Sequence, residues 1–244
     1  MTYPTTKTVD HVDTYHGVAV PDPYRWLEDD TSPETAAWVE AQNAVTSAHL
    51  GTIPFRPALT RRLEQLFNYP KFSAPERRGS TYFFSKNDGL QNQAVIFTQQ
   101  GLDGTPSVLL DPNTLSPDGT TKLSVFSVSK DGRLAVYGLS QGGSDWMEYR
   151  VLDVATKQPR QDVVQWVKVS GAAWAGNGFF YSRYPAPTGG RDLSAKNVNH
   201  EVYFHTVGTP QSADQKVFSD PVNPERFHTV EVTEDERFLI LTVS

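Results

Sequence analysis

Hydrophobic and polar positions follow two different rhythms along this chain. Up to residue 70 the apolar positions recur every three or four residues. Trp38, Ala41, Val45 and Ala48 share one face of a helix, and Leu59, Leu63, Leu66 and Phe67 share one stripe of a second. Ser32 precedes Pro33, which suits a helix whose first residue needs no N–H. Gly51 ends that helix, and the second begins near Pro57 and stops at Asn68 and Pro70. Before them, Pro21 to Asp30 reads as an extended lead-in followed by a short helical turn.

From Gly79 onward the period changes to two. Short strands are expected at 82–85, 94–98, 107–110, 134–139, 149–154, 179–182, 202–206 and 238–243. Each is rich in aromatic and β-branched residues, and Gly, Asp, Asn and Pro turns separate them. A weak repeat organises these strands. Ser129-Lys130-Asp131-Gly132-Arg133 opens into an apolar run, and Thr233-Glu234-Asp235-Glu236-Arg237 opens into another 104 residues later. Turns at Gly79 and at Gly176-Asn177-Gly178 fall between and before them at roughly 50-residue spacing, the period of four-stranded propeller blades. The pattern gives about three blades and the start of a fourth, too few to close a ring.

Composition narrows the function. The 244 residues carry a net charge of -6, so neither nucleic acid nor an anionic membrane is expected as a partner. No secretory signal or membrane-spanning run is read in the sequence, and a cytoplasmic location is expected. The absence of cysteine excludes disulfides, thiolate metal sites and a cysteine nucleophile. The aromatic share of 11% lacks the basic neighbours of a nucleic-acid stacking platform, so the tryptophans read as packing.

Few residues invite chemistry. Gly142-Gly143-Ser144-Asp145-Trp146 approaches the G-x-S-x-G nucleophile elbow, but Trp146 stands where the second glycine is needed and strands flank it. Ser144 therefore reads as a hairpin residue. His200 and His205 lie five apart in a strand-like run and point to opposite faces, and no histidine set has metal-ligand spacing. No cofactor or metal is expected, and no catalytic residue is identified within the chain.

Several segments together resemble the prolyl oligopeptidase family of serine peptidases. They are Asp22-Pro23-Tyr24-Arg25-Trp26-Leu27-Glu28-Asp29, Gly89-Leu90-Gln91-Asn92-Gln93, Leu110-Asp111-Pro112-Asn113, Gly143-Ser144-Asp145-Trp146 and Tyr203 to His205 with Gly208-Thr209. The first would also suit the related enzymes that cut after basic residues, whereas the second and fourth favour the proline-specific branch. The resemblance implies a mainly β fold: the opening blades of a seven-bladed propeller, here residues 71–244. A helical segment, residues 1–70, would belong to an α/β-hydrolase peptidase domain whose catalytic serine, aspartate and histidine lie outside this sequence. It implies hydrolysis of short peptides on the carboxyl side of proline, with the propeller restricting access and with this chain alone inactive. Asp145, Val169 and His228 would line the substrate region, Val169 standing where the family usually has an aromatic. The loop from Pro185 to Asn199 would be a gate, with Arg191 and Lys196 as its cleavable positions. A free-standing, non-catalytic propeller binding module is the alternative, and a true stop codon after Ser244 would favour it.

Overall fold

The computed structural model describes residues 2–187 and 196–244. They divide into two compact units, one formed by residues 2–67 and 187 and the other by residues 68–186 and 196–244.

The first unit opens with a hairpin, β1 (Val12–Tyr15) and β2 (Val18–Pro21). Its two-residue turn places His16 at φ 50° and Gly17 at φ 83°, the left-handed pair that matches strand twist. Four-residue strands with little burial carry too short an alternation to reveal themselves. A 3₁₀ turn follows at Arg25–Glu28, and its Trp26 Nε1–H donates to the Lys7 carbonyl at 2.9 Å. Helix α1 (Pro33–Gly51) starts as its sequence dictates. The Ser32 hydroxyl accepts from Thr35 N–H at 3.0 Å and Pro33 takes the first helical position. Helix α2 (Arg56–Phe67) presents Leu59, Leu63, Leu66 and Phe67 as one stripe that stays 45–56% exposed.

The second unit is a series of antiparallel sheets. Blade 1 consists of β3 (Lys71–Phe72) and β4 (Glu76–Arg78), both paired with β5 (Thr81–Asn87), followed by β6 (Val95–Gln100) and β7 (Ser107–Leu110). Blade 2 is β8 (Thr121–Val128), β9 (Leu134–Gln141), β10 (Met147–Asp153) and β11 (Gln158–Val167). Blade 3 is β12 (Ala173–Ala175), β13 (Gly178–Arg183), β14 (Glu201–Thr206) and β15 (Gln215–Phe218). A hairpin of β16 (His228–Val232) and β17 (Leu239–Val243) comes last. Blades 2 and 3 are continuous only through the pair Val167–Arg183. Among the described residues the sheets do not close into a ring.

The repeat read from the sequence is a repeat of hydrogen bonds. In the β8–β9 turn, Asp131 Oδ1 accepts from the Ser129 hydroxyl and Arg133 N–H at 2.7 and 3.1 Å. In the β16–β17 turn, Asp235 Oδ1 accepts from the Thr233 hydroxyl and Arg237 N–H at 2.6 and 3.2 Å. Gly132 at φ 72° in the first turn is matched by Glu236 at φ 57° in the second. The fold overrides the local preference that makes glycine the natural occupant.

Two apolar clusters fill the boundaries between blades. Phe83, Ile96, Leu109, Val128, Ala135, Tyr137 and Leu152 pack between blades 1 and 2. Val136, Tyr149, Val151, Val164, Val167, Phe179, Tyr181 and Tyr203 pack between blades 2 and 3. Strand β9 feeds both, since Ala135 and Tyr137 face one side and Val136 the other, as a period of two requires. Directional bonds cross the same boundaries. Gln93 in blade 1 donates to Thr121 O and accepts from Leu123 N–H in blade 2, at 2.7 and 2.8 Å. Ser127 Oγ of blade 2 donates to Ala172 O at 2.9 Å, and Trp174 Nε1–H of blade 3 donates back to Ser127 O at 3.0 Å. Ser182 Oγ of blade 3 donates to His228 O at 2.6 Å.

Candidate functional site

The hairpin joining β9 and β10, the backbone after β11, and the starts of β14 and β16 meet at one place. Lys168 connects them. Its Nζ lies 3.7 Å from Asp145 Oδ2 and 5.0 Å from the centre of the Trp146 ring. Its carbonyl is bonded at 2.8 Å by His200 Nε2. Trp146 packs edge-on against Trp166 and Tyr184, Tyr184 against His200, and His200 against Phe227.

Asp145 is 81% exposed at the hairpin tip, and among the described residues its carboxylate accepts no hydrogen bond from its own turn. Ser144 does that work: its N–H donates to Gln141 O and its hydroxyl accepts from Trp146 N–H at 3.1 Å. Among the described residues no hydrogen bond joins a serine hydroxyl to a histidine ring.

Val169 follows β11 and is 45% exposed. Its φ is 51°, an outlier for a β-branched residue, and Trp166 three residues earlier has φ 62°. Such a conformation costs of order 1–3 kcal/mol and persists only where its surroundings over-determine it. Three donors hold the flanking carbonyls. Tyr184 N–H bonds Trp166 O at 3.1 Å, His200 bonds Lys168 O, and the buried Tyr149 hydroxyl bonds Ser170 O at 2.7 Å.

His200 is fully buried, and its two nitrogens have fixed roles. Nδ1 accepts from His228 N–H at 2.9 Å, so the proton sits on Nε2 and points at Lys168 O. Burial lowers its pKa, the Lys168 carbonyl opposes that, and His228 adds to it. His228 is 1% exposed; its Nδ1–H donates to His200 O, and its Nε2 is buried with no partner among the described residues. The exposed side chain at this point is its neighbour Phe227, at 41%, which pattern reading passes over because it precedes β16. Lys196 is exposed and paired with Glu225. Arg191 lies outside the described residues.

A second buried cluster joins blades 2 and 3. His205, fully buried, lies 2.7 Å from Asp214 Oδ1 and 3.1 Å from Asp162 Oδ1. Tyr181 Oη donates to Asp214 Oδ2 at 2.7 Å, and Gly208 N–H donates to Asp162. Burial works against a charge on His205, but the two carboxylates outweigh it and raise its pKa. Burial, and then its bond to Asp214, raise that of the Tyr181 hydroxyl. No group of three or more metal-ligating side chains occurs among the described residues, and none of their helices is long and apolar enough to cross a membrane.

Successive antiparallel sheets of four or five strands, each packing its faces on the next, define a β-propeller protein. Comparison with known proteins gives the family. Residues 3–244 match the model of the prolyl oligopeptidase N-terminal beta-propeller domain. The prolyl endopeptidase of Elizabethkingia meningoseptica is 44% identical over 243 residues, which is 99% of this chain and 34% of that one. The structure of prolyl oligopeptidase B from Galerina marginata bound to a 25-residue macrocyclization substrate matches with a TM-score of 0.80 at 30% identity, covering 99% of this chain and 37% of that one. A solved prolyl endopeptidase matches at 41% identity with a TM-score of 0.67, over 99% of this chain and 35% of that one. The chain therefore belongs to the prolyl oligopeptidase family. It spans about a third of the length of the curated relatives it matches.

Proposed function

We propose that this chain is the N-terminal part of a serine-type prolyl endopeptidase that hydrolyses short peptides on the carboxyl side of proline. In this reading residues 1–70 belong to the peptidase domain and residues 71–244 are the first blades of the propeller that restricts access. The serine, aspartate and histidine are supplied by a segment outside this sequence. The observation that carries the reading is the family match over residues 3–244, together with 44% identity to a prolyl endopeptidase across nearly the whole chain. Asp145, Val169 and Phe227 are the exposed members of the site, and Val169 and Phe227 supply apolar wall to a peptide lying against it. His228, buried one residue further on, acts through the backbone it holds.

The reaction is acyl transfer to serine and then to water, and this unit contributes shape and field rather than reacting atoms. The test is to express the full reading frame and assay matched peptide reporters that place proline, alanine or lysine before the scissile bond. Cleavage after proline alone, and loss of cleavage as the peptides lengthen, are the expected results. Preferential cleavage after lysine would assign the chain to the basic-specific branch and refute the proposal.

A further inference from the structure

The conformation of Val169 hangs on one side chain from another blade. Of the three donors that hold the carbonyls around it, Tyr184 contributes backbone and Tyr149 comes from the neighbouring strand of the same blade. The third, His200, is fully buried at the start of β14 and reaches the carbonyl of Lys168 itself, the peptide group that leads directly into Val169. Its other nitrogen is occupied by His228 N–H, so the ring cannot rotate without orphaning a buried donor.

We propose that His200 is a positioning residue for peptide binding: its Nε2–H holds the Lys168 carbonyl, and thereby keeps Val169 in the left-handed conformation that turns its side chain toward solvent. The inference rests on the reading that Val169 lines the peptide site. If the bond is lost, the Lys168–Val169 peptide can rotate and relieve the outlying φ, and the wall moves. In that reading, taken from the family resemblance, the wall belongs to the subsite beyond the proline, so only an extended peptide reaches it. Loss of the bond therefore weakens binding of extended peptides and leaves the chemical step alone.

The experiment uses the full-length enzyme with two reporters, one ending at the residue before proline and one extended by a further residue. His200→Asn keeps an acceptor for His228 N–H but cannot reach Lys168 O, whereas His200→Gln restores a donor near the Nε2 position. His200→Asn is expected to raise KM for the extended reporter about tenfold, the size of one orphaned buried partner, with kcat and the short-reporter KM unchanged. His200→Gln is expected to bring the extended-reporter KM back toward wild type. Equal effects on both reporters, or a raised extended-reporter KM in His200→Gln, overturn the proposal. The second outcome decides even if His200→Asn fails to fold. Hydrogen exchange on the same proteins gives an answer independent of activity. Faster exchange of the Val169–Gly171 amides in His200→Asn, with wild-type exchange in His200→Gln, supports the positioning role even if neither reporter is cut. Unchanged exchange in His200→Asn refutes it.

Discussion

Replacing His205 by glutamine asks whether a buried charge cluster stabilises the boundary between blades 2 and 3. The side chains of His205, Asp162 and Asp214 are 0%, 2% and 1% exposed, and among the described residues the only other charged side chain paired to them is Arg160, 3.9 Å from Asp162. With the imidazolium in place, each carboxylate faces a positive partner. Without it, two carboxylates remain buried on a few neutral donors, Tyr181 Oη and Gly208 N–H among them. Removing one partner of a buried ion pair typically costs about 3–5 kcal/mol, which is a large fraction of a domain's stability. Much of that cost is the stranded charge, so a second substitution should return part of it. His205→Gln/Asp162→Asn is expected to be more stable than His205→Gln alone.

The pH dependence has a definite sign. The folded-state pKa of His205 lies above the ordinary imidazole value. Its stabilisation is therefore complete below about pH 6.5 and is lost as pH rises through the raised value. Thermal unfolding between pH 5 and 9 measures both effects. Wild type should lose stability toward alkaline pH, and His205→Gln should lack that component. A double variant less stable than the single one would show that Asp162 is held favourably by Gly208 N–H and Arg160 without the histidine, and would refute the argument.

Three further expectations concern other parts of the chain. Gly132→Ala should lower stability by about 1–2 kcal/mol, because φ is 72° and the added Cβ would sit 3.2 Å from Arg78 Cβ; an unchanged melting temperature counts against it. This chain by itself should release no product from a proline-containing reporter, and Ser144→Ala should change nothing; activity that vanished in Ser144→Ala would reverse that reading. Limited trypsin should cut the full-length enzyme first at Arg191 or Lys196, as mass spectrometry of the fragments will show, rather than at Lys71, whose ammonium is bonded to Gly89 O at 2.7 Å.

How much was legible follows from which forces write themselves into a sequence. Strands buried on both faces announced themselves through aromatic and β-branched runs, as in β9, β13 and β14. Strands β8, with Lys122, Ser124 and Ser127, and β11, which begins Gln158-Pro159-Arg160-Gln161, carry polar residues where one side faces solvent or an inter-blade bond. Their alternation is diluted, and pattern reading passed them over. The turn repeat was readable because Asp131 and Asp235 do local work within five residues. The site was not, because it is assembled from side chains up to 83 residues apart, from Asp145 to His228. The pairing of His200 with Lys168 O depends on a blade-to-blade approach that no local pattern encodes. Residue 228 comes from the family resemblance, which carries no information on burial; in the structure His228 is buried and its neighbour Phe227 is exposed.

The bonds that cross the blade boundaries also act as angle-setters. Apolar packing is tolerant of small rotations, whereas Gln93 bridging Thr121 and Leu123, or Ser127 donating to Ala172 O and accepting from Trp174, accept few orientations of one sheet on the next. In any closed propeller the tilts between successive sheets must sum to a full turn. An error of a few degrees at one boundary is then felt at the seam, far from the residue that caused it. Substitutions at Gln93 or Ser127 should therefore be sensed most strongly where the ring meets itself, and covariation is to be sought between these residues and that seam rather than with their immediate neighbours alone.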